Sequence, residues 1–310
     1  MMALVTSVLG THVSGSLTDP ITTFQAIVLG LLQGVTELFP ISSLGHTVLF
    51  PTLFGWHNLV ASQSKPESFW LAFVVMLHVG SAVGLLIYFW RDWIDIIRAF
   101  FRTLVTRRIE TSTERLAWLI IAASIPTGIL GIALEHPVRV ALAKPTAAAV
   151  FLVVNGFILI GAERLRRRPQ VQVLAAGQPE GRTMESLTYR EAAGLGVIQS
   201  TALVAGISRD GVCMTGGLLR GLDNEHAAKF AFLLATPIIL AAGLFKFPDL
   251  TGPHGDYGVR RAAVIAAVAA AIAAVVTVHY LLRYFRNNNL IPFGVYCLAF
   301  GTAMVIYTTV

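Results

Sequence analysis

The stretch from Phe24 to Phe50, FQAIVLGLLQGVTELFPISSLGHTVLF, is mostly apolar but interrupted by Gln33, Glu37, Pro40, Ser42, Ser43 and His46. Its two apolar arms run to about 8 to 12 residues each, too short for a bilayer crossing that needs about 20. The pattern predicts a helix that enters the membrane, breaks near Pro40 and returns to the side it came from. Such a broken element is tolerated only where its polar middle is buried in protein or lines a wet cavity. After a polar connection from His57 to Lys65, Phe69 to Phe89 is long enough to span, with Trp70 and Trp90 as interface anchors. Arg91 to Arg115 carries six arginines around an amphipathic middle, WIDIIRAFFRTLV, expected along the headgroups. Leu116 to Leu134 and Thr146 to Ile160 are the next spans, and Glu163 to Arg190 is a basic segment followed by a Gly-, Gln- and Pro-containing linker.

The second half repeats the first. LGLLQGVTELFPISSLG (Leu29 to Gly45) aligns without gaps on LGVIQSTALVAGISRDG (Leu195 to Gly211), so that Leu195, Gly196, Gln199, Ile207, Ser208 and Gly211 each match a residue 166 positions earlier. Spans at Phe230 to Phe245, Ala262 to Leu282 and Leu290 to Thr308 again give three crossings after one hairpin. The expected fold is an all-α polytopic membrane protein of six transmembrane helices and two re-entrant hairpins. One membrane domain covers the chain, with repeats of approximately 20–162 and 189–310 joined by a linker at 163–188. Arginines near span ends favour the cytoplasm. That rule places both termini outside, the first hairpin entering from outside and the second from the cytoplasm, an inverted-topology pair known from transporters.

Composition agrees. Of 310 residues, 55% are hydrophobic and 13% charged, where a soluble domain carries about 25% charged. The net charge of +6 is explained by cytoplasmic arginines, and nucleic acid is not an expected partner because no soluble recognition module accompanies the basic residues. Cys213 and Cys297 offer neither a metal pair nor a disulfide framework. The first twenty residues lack a basic start and a long apolar core, so a cleaved signal peptide is not expected.

Glu37 at bilayer depth requires a cation, a metal or a proton as compensation; its bland alternative is an interfacial glutamate at a helix end. Gln33 lies one helical turn earlier on the same face, where it either serves the site or packs helices together. Ser43 and His46, three residues apart, face one cavity if helix resumes near Ser42, and a serine beside a histidine suggests nucleophile and base, or a histidine that attacks phosphorus directly while the serine binds an oxygen. Ser42 or Ser43 also suits a helix cap. In AGISRDG (Ala205 to Gly211), Arg209 presents a planar fork that fits phosphate oxygens, while Gly206 and Gly211 let backbone N–H groups point at an anion together with Ser208 and the start of the returning helix. The competing reading pairs Arg209 with Asp210 or Glu37. His78, Asn155, Lys229 and His279 rank lower, as cavity, pathway or packing residues. Asp223, Glu225 and His226 read as helix-start groups, and His57, His136 and His254 as loop residues. No close His/Asp/Cys set supports zinc, but Glu37 with substrate phosphates suits Mg²⁺.

These residues resemble the bacterial undecaprenyl-diphosphatases of the bacitracin-resistance type. QGVTELFPISSLGH (Gln33 to His46) resembles the family's first motif, AGISRDGVC (Ala205 to Cys213) its second, and KFAFLLATPIILAAGLF (Lys229 to Phe245) its next span. The resemblance implies hydrolysis of undecaprenyl diphosphate at the outer face of the plasma membrane, serving cell-wall polymer synthesis and bacitracin resistance. It implies catalytic roles for Glu37, Ser43, His46 and Arg209, and substrate contacts from Gln33, Ser42, Gly206, Ser208, Asp210 and Gly211. It also implies a Mg²⁺ or Ca²⁺ ion held through Glu37. The expected partners are the polyprenyl diphosphate and the membrane, with a homodimer as the assembly to test. The chain departs from the family pattern where Gln33 replaces a second acid, Ala205 a proline, Asp210 a serine and Cys213 a threonine. Asp210 either repels a diphosphate or supplies the missing carboxylate. A lipid-phosphate transporter and a noncatalytic lipid-binding paralogue stand as the alternative functions.

Overall fold

Helices account for nearly all of the computed structural model, which describes residues 21–63, 69–142, 144–167, 182–251 and 257–310, without the side chains of 69, 135–137, 139–142, 249–251 and 257. In chain order they are α1 (Thr23–Leu38), α2 (Ser43–Leu53), α3 (His57–Gln63), α4 (Phe69–Tyr88), α5 (Trp90–Thr106), α6 (Ser112–Leu142) and α7 (Pro145–Arg166). The second half adds α8 (Tyr189–Gln199), α9 (Arg209–Leu219), α10 (Asn224–Thr251), α11 (Tyr257–Phe285) and α12 (Ile291–Thr309), with 3₁₀ turns at Met184–Ser186 and Ser200–Leu203. Among the described residues six helices are long and apolar enough to cross a membrane, namely α4, α6, α7, α10, α11 and α12, each matching one of the expected spans to within a residue or containing it. Residues such as Ile129, Phe157, Leu244, Val264 and Ile306 stay exposed on them, which water would penalise and lipid would not.

Both expected breaks are present, and both are built with the same devices. Thr22 and Gln25 form a capping box at the start of α1, and Thr188 and Glu191, each 166 positions later, form one at the start of α8. The first arm is 16 residues, about 24 Å at 1.5 Å per residue, and so longer than expected, though still short of the hydrocarbon core. The helix ends at Phe39 before Pro40, Ser42 takes a positive φ of 68°, and its hydroxyl accepts the Gly45 N–H at 3.2 Å to start α2. Ser208 caps α9 in the same way, accepting the Gly211 N–H at 3.0 Å.

Small residues let these elements approach. Gly30 and Gly34 of α1 lie on Ala266, Ala269, Ala270 and Ala273 of α11, and Gly80 and Gly84 of α4 lie on Ala267, Ala271 and Ala274 of the same helix. Gly196 of α8, the counterpart of Gly30, meets the backbone of Ala123 in α6. Gly156 of α7 and Gly294 of α12 face each other's carbonyl oxygens. In lipid, association depends on such close packing, because apolar side chains gain nothing by leaving hydrocarbon.

The connection expected from His57 is a seven-residue helix, α3, over the whole of its described length. WIDIIRAFFRTLV forms the amphipathic α5, fixed to α10 by Lys229 and Asp92 at 2.5 Å. The readings placed on residues 1–20, Lys65, the linker at 168–181, His254 and the His136 side chain lie outside what is described.

A Cβ on Gly34 would stand 2.3 Å from the Ala270 carbonyl oxygen, whereas one on Gly161 meets nothing within 4 Å. Thermal melts in detergent should therefore show Gly34→Ala destabilised by about 1–3 kcal/mol through overpacking. Gly161→Ala should be neutral or stabilised by up to about 1 kcal/mol through helix propensity. Equal melting temperatures for the two variants would contradict this packing.

Candidate active site

Glu37 stands one residue before the end of α1, 6% exposed, with both carboxylate oxygens engaged. Gln33, a turn earlier, donates its Nε2–H to Oε2 at 2.8 Å. The Ser43 hydroxyl, at the first position of α2, donates a short hydrogen bond to the same oxygen. Arg209, the first residue of α9, donates from its Nη2 to Oε1 across the two hairpins. The acid is thus paired with a cation and hydrogen-bonded on both oxygens, which is what keeps a buried charge from unfolding the site around it. Of the two competing readings of Arg209, the ion pair with Glu37 is present, and Asp210 Oδ1 is also 3.8 Å from Arg209 Nε.

The fourth member comes from α4. His78 donates Nδ1–H to the Val74 carbonyl at 2.8 Å, because a carbonyl can only accept. In the neutral ring this leaves the Nε2 lone pair directed to the site, 3.4 Å from Ser43 Oγ and 3.4 Å from Glu37 Oε2. Glu37, Ser43, His78 and Arg209 supply a polar part of the lining of a cavity of about 480 Å³, whereas Gln33 is fully buried and does not line it. Leu71, Val75, Ile132, Ile238 and Phe245 supply apolar walls, Thr127, Gln199 and Ser200 line another part, and Lys246 also borders it. A polar end with a carboxylate, a hydroxyl and a guanidinium, joined to an apolar trough, suits an amphiphile with an anionic head.

Some sequence-predicted residues sit elsewhere. His46 does not line the cavity: it is fully buried, with Nδ1 bonded to the Ser42 carbonyl at 2.7 Å and Nε2 to the Tyr296 hydroxyl at 2.8 Å. Its ring stacks on Tyr296 and Phe300 of α12. Asp210, 1% exposed, is not a cavity residue either, and neither of its oxygens meets a hydrogen-bond donor among the described residues. The glycine N–H groups are already committed, Gly206 to the Ser42 hydroxyl at 3.1 Å and Gly211 to Ser208. Ser42 and Ser208 line the cavity but act chiefly as helix caps. Thr127 and Gln199 were not singled out for the site; they bond to each other at 3.1 Å, and the match of Gln199 with Gln33 was their one visible signal.

With this geometry in place, comparison with known proteins is decisive. The sequence model of the family described as bacitracin resistance protein BacA matches residues 26–303. The chain belongs to that family. A Frankia alni protein named undecaprenyl-diphosphatase 2 is 48% identical over 92% of this chain and 98% of its own. Undecaprenyl-diphosphatases of Mycolicibacterium paratuberculosis and Acidiphilium cryptum are 44% and 40% identical, each over 91% of this chain and 96% of their own. This BacA-family chain is accordingly a multi-pass membrane protein.

In this member of the BacA family, the His46 imidazole depends on Tyr296 for its Nε2 partner. Tyr296→Phe should cost about 1–3 kcal/mol of stability by leaving a buried nitrogen unpaired. Denaturation in detergent measures that loss, and an unchanged midpoint would show that this hydrogen bond contributes nothing.

Proposed function

We propose that this protein hydrolyses undecaprenyl diphosphate to undecaprenyl phosphate and inorganic phosphate. The observation that carries the reading is the meeting of Arg209 from one hairpin with Glu37 and Ser43 from the other at the polar end of a cavity whose walls are apolar. The names of the relatives support the same substrate. The diphosphate draws Arg209 from Glu37 onto the transferring oxygens, where its fork offsets charge that builds in a loose transition state. Ser43 attacks the terminal phosphorus while its proton passes to Glu37. The bond to the bridging oxygen breaks and undecaprenyl phosphate leaves; water then attacks the phosphoserine with His78 taking its proton, the bond from phosphorus to the Ser43 oxygen breaks, and Glu37 returns the first proton to that oxygen while His78 releases its own to water. The result is one diphosphate and one water converted to undecaprenyl phosphate and phosphate, with Ser43 restored.

The two halves, approximately 20–162 and 189–310, are read as an inverted repeat. The paired capping boxes, cap serines and glycine contacts 166 positions apart support this reading. With arginine-rich segments in the cytoplasm, the Glu37 hairpin enters from outside, and the site serves the outer face of the bacterial plasma membrane. The product is then returned to the carrier pool for cell-wall polymer synthesis. The Glu37 carboxylate and Ser43 hydroxyl are hard oxygen donors that fit Mg²⁺ or Ca²⁺ when diphosphate oxygens complete the shell. Such an ion supplies charge neutralisation on the diphosphate. Asp210 and Cys213 do not line the cavity, which removes the main argument for a noncatalytic lipid binder. The opposed hairpins also suit a lipid-phosphate transporter, distinguished by transport without phosphate release.

Purified protein given a polyprenyl diphosphate should release phosphate. Arg209→Ala should lower kcat by roughly 10²–10³-fold or more, the usual cost of losing one donor to the transferring oxygens, and Ser43→Ala should abolish turnover. Undiminished release by Arg209→Ala would overturn the assignment. EDTA should suppress release and added Mg²⁺ or Ca²⁺ restore it; full activity in chelator would exclude the cation.

A further inference from the structure

Asn155 is fully buried in α7, midway along a helix face formed by Ala148, Leu152, Asn155 and Leu159. That face touches the second hairpin at three successive points. A Cβ on Gly206, whose φ is +104°, would stand 2.3 Å from the Ala148 carbonyl oxygen and 2.7 Å from Leu152 N. Asn155 Oδ1 accepts the Ser208 N–H at 3.0 Å. A Cβ on Gly211 would lie 3.2 Å from Leu159 Cδ2. The first hairpin is held by the same amide, since Asn155 Nδ2 donates to the Pro40 carbonyl at 2.9 Å. The amide nitrogen also lies 3.4 Å from Cys297 Sγ.

One side chain therefore joins the two breaks. Pro40 is three residues beyond Glu37, and Ser208 immediately precedes Arg209. The Ser208 N–H lies outside α9 as the cap position, and the Pro40 carbonyl lies in the gap between α1 and α2. An amide presents a donor and an acceptor side by side, which neither a hydroxyl nor an aliphatic chain of this size reproduces. Asn155 itself does not line the cavity. We propose that Asn155 is a positioning residue for phosphoryl transfer, setting Arg209 in register with Glu37 and Ser43 by tying Ser208 to Pro40. The effect on turnover rests on the proposed phosphatase activity, whereas the effect on registration does not.

Asn155→Leu removes both bonds, and kcat per folded molecule should fall roughly 10²-fold, the scale of an ångström-size misplacement of reacting groups. KM should change less than about threefold in that variant, because the apolar walls are intact. Asn155→Asp supplies the discriminating readout. Its carboxyl carrying a proton reproduces donor and acceptor, whereas the ionised form has no donor for Pro40. The ratio of its kcat to that of the unaltered protein should rise as pH is lowered, while the ratio for Asn155→Leu stays flat. An unchanged kcat in Asn155→Leu, or a flat ratio for Asn155→Asp, would overturn the proposal; both are normalised to folded protein, so loss of fold alone cannot imitate it. Should the unaltered protein release no phosphate, the phosphatase reading falls and the inference is decided by stability. Melting temperatures of Glu37→Gln, Arg209→Gln and the double variant give the coupling of that pair. Coupling lost in the Asn155→Leu background supports registration by Asn155, and coupling retained there refutes it.

Discussion

A buried carboxylate that cannot stand alone sets the terms for this molecule. Glu37 lies in an apolar surrounding where an unpaired ion would be prohibitively costly, and its compensation comes from Arg209, 172 residues further along the chain. The two hairpins must therefore meet, tip to tip. Every feature around them, from caps to glycine contacts, brings that meeting about or withstands its consequences. The same carboxylate also accepts from the Ser43 hydroxyl, so the ion pair and the hydroxyl are held as one cluster.

Breaking a helix inside hydrocarbon exposes backbone groups for which no water is at hand. These groups are satisfied within each hairpin, across the two, and by α7. Gly206 N–H goes to the Ser42 hydroxyl, Ser208 N–H and the Pro40 carbonyl go to Asn155, and the capping serines take the N–H groups of Gly45 and Gly211. Ser42, with its backbone at a positive φ, thus accepts from its own helix and from the opposite hairpin. Close approach is permitted by glycine where the hairpins lie on their supports, Gly34 on α11 and Gly206 on α7.

The departures from the family pattern take on a different weight once their places are known. Gln33 donates a hydrogen bond to Glu37, which an ionised acid at that position could not. Cys213 does not line the cavity, but its Sγ donates to Oε1 of Gln199, a lining residue, at 3.4 Å. Asp210 Oδ1 lies 3.8 Å from Arg209 Nε, and the residue does not line the cavity.

Hydropathy alone located the six long helices, because a 30 Å apolar layer imposes a length and composition that few soluble segments match. The two breaks were legible for a related reason: polar residues and Pro40 interrupt apolar arms too short to cross, and the repeat marked the second copy. Glu37, Gln33, Ser43 and Arg209 stood out as polar groups at forbidden depth. The histidines were not separable in this way. Spacing from Ser43 favoured His46, but a short helix faces several neighbours at once, and α12 claims His46 through Tyr296 and Phe300. His78, 35 residues from Ser43 on another helix, comes beside it only when α4 packs against the hairpin. Asn155 was visible as a polar residue in a span without an evident partner. Periodicity and composition report which environment a residue must occupy, a local property of the chain; which residues then share that environment depends on long-range packing, and tertiary structure decides it.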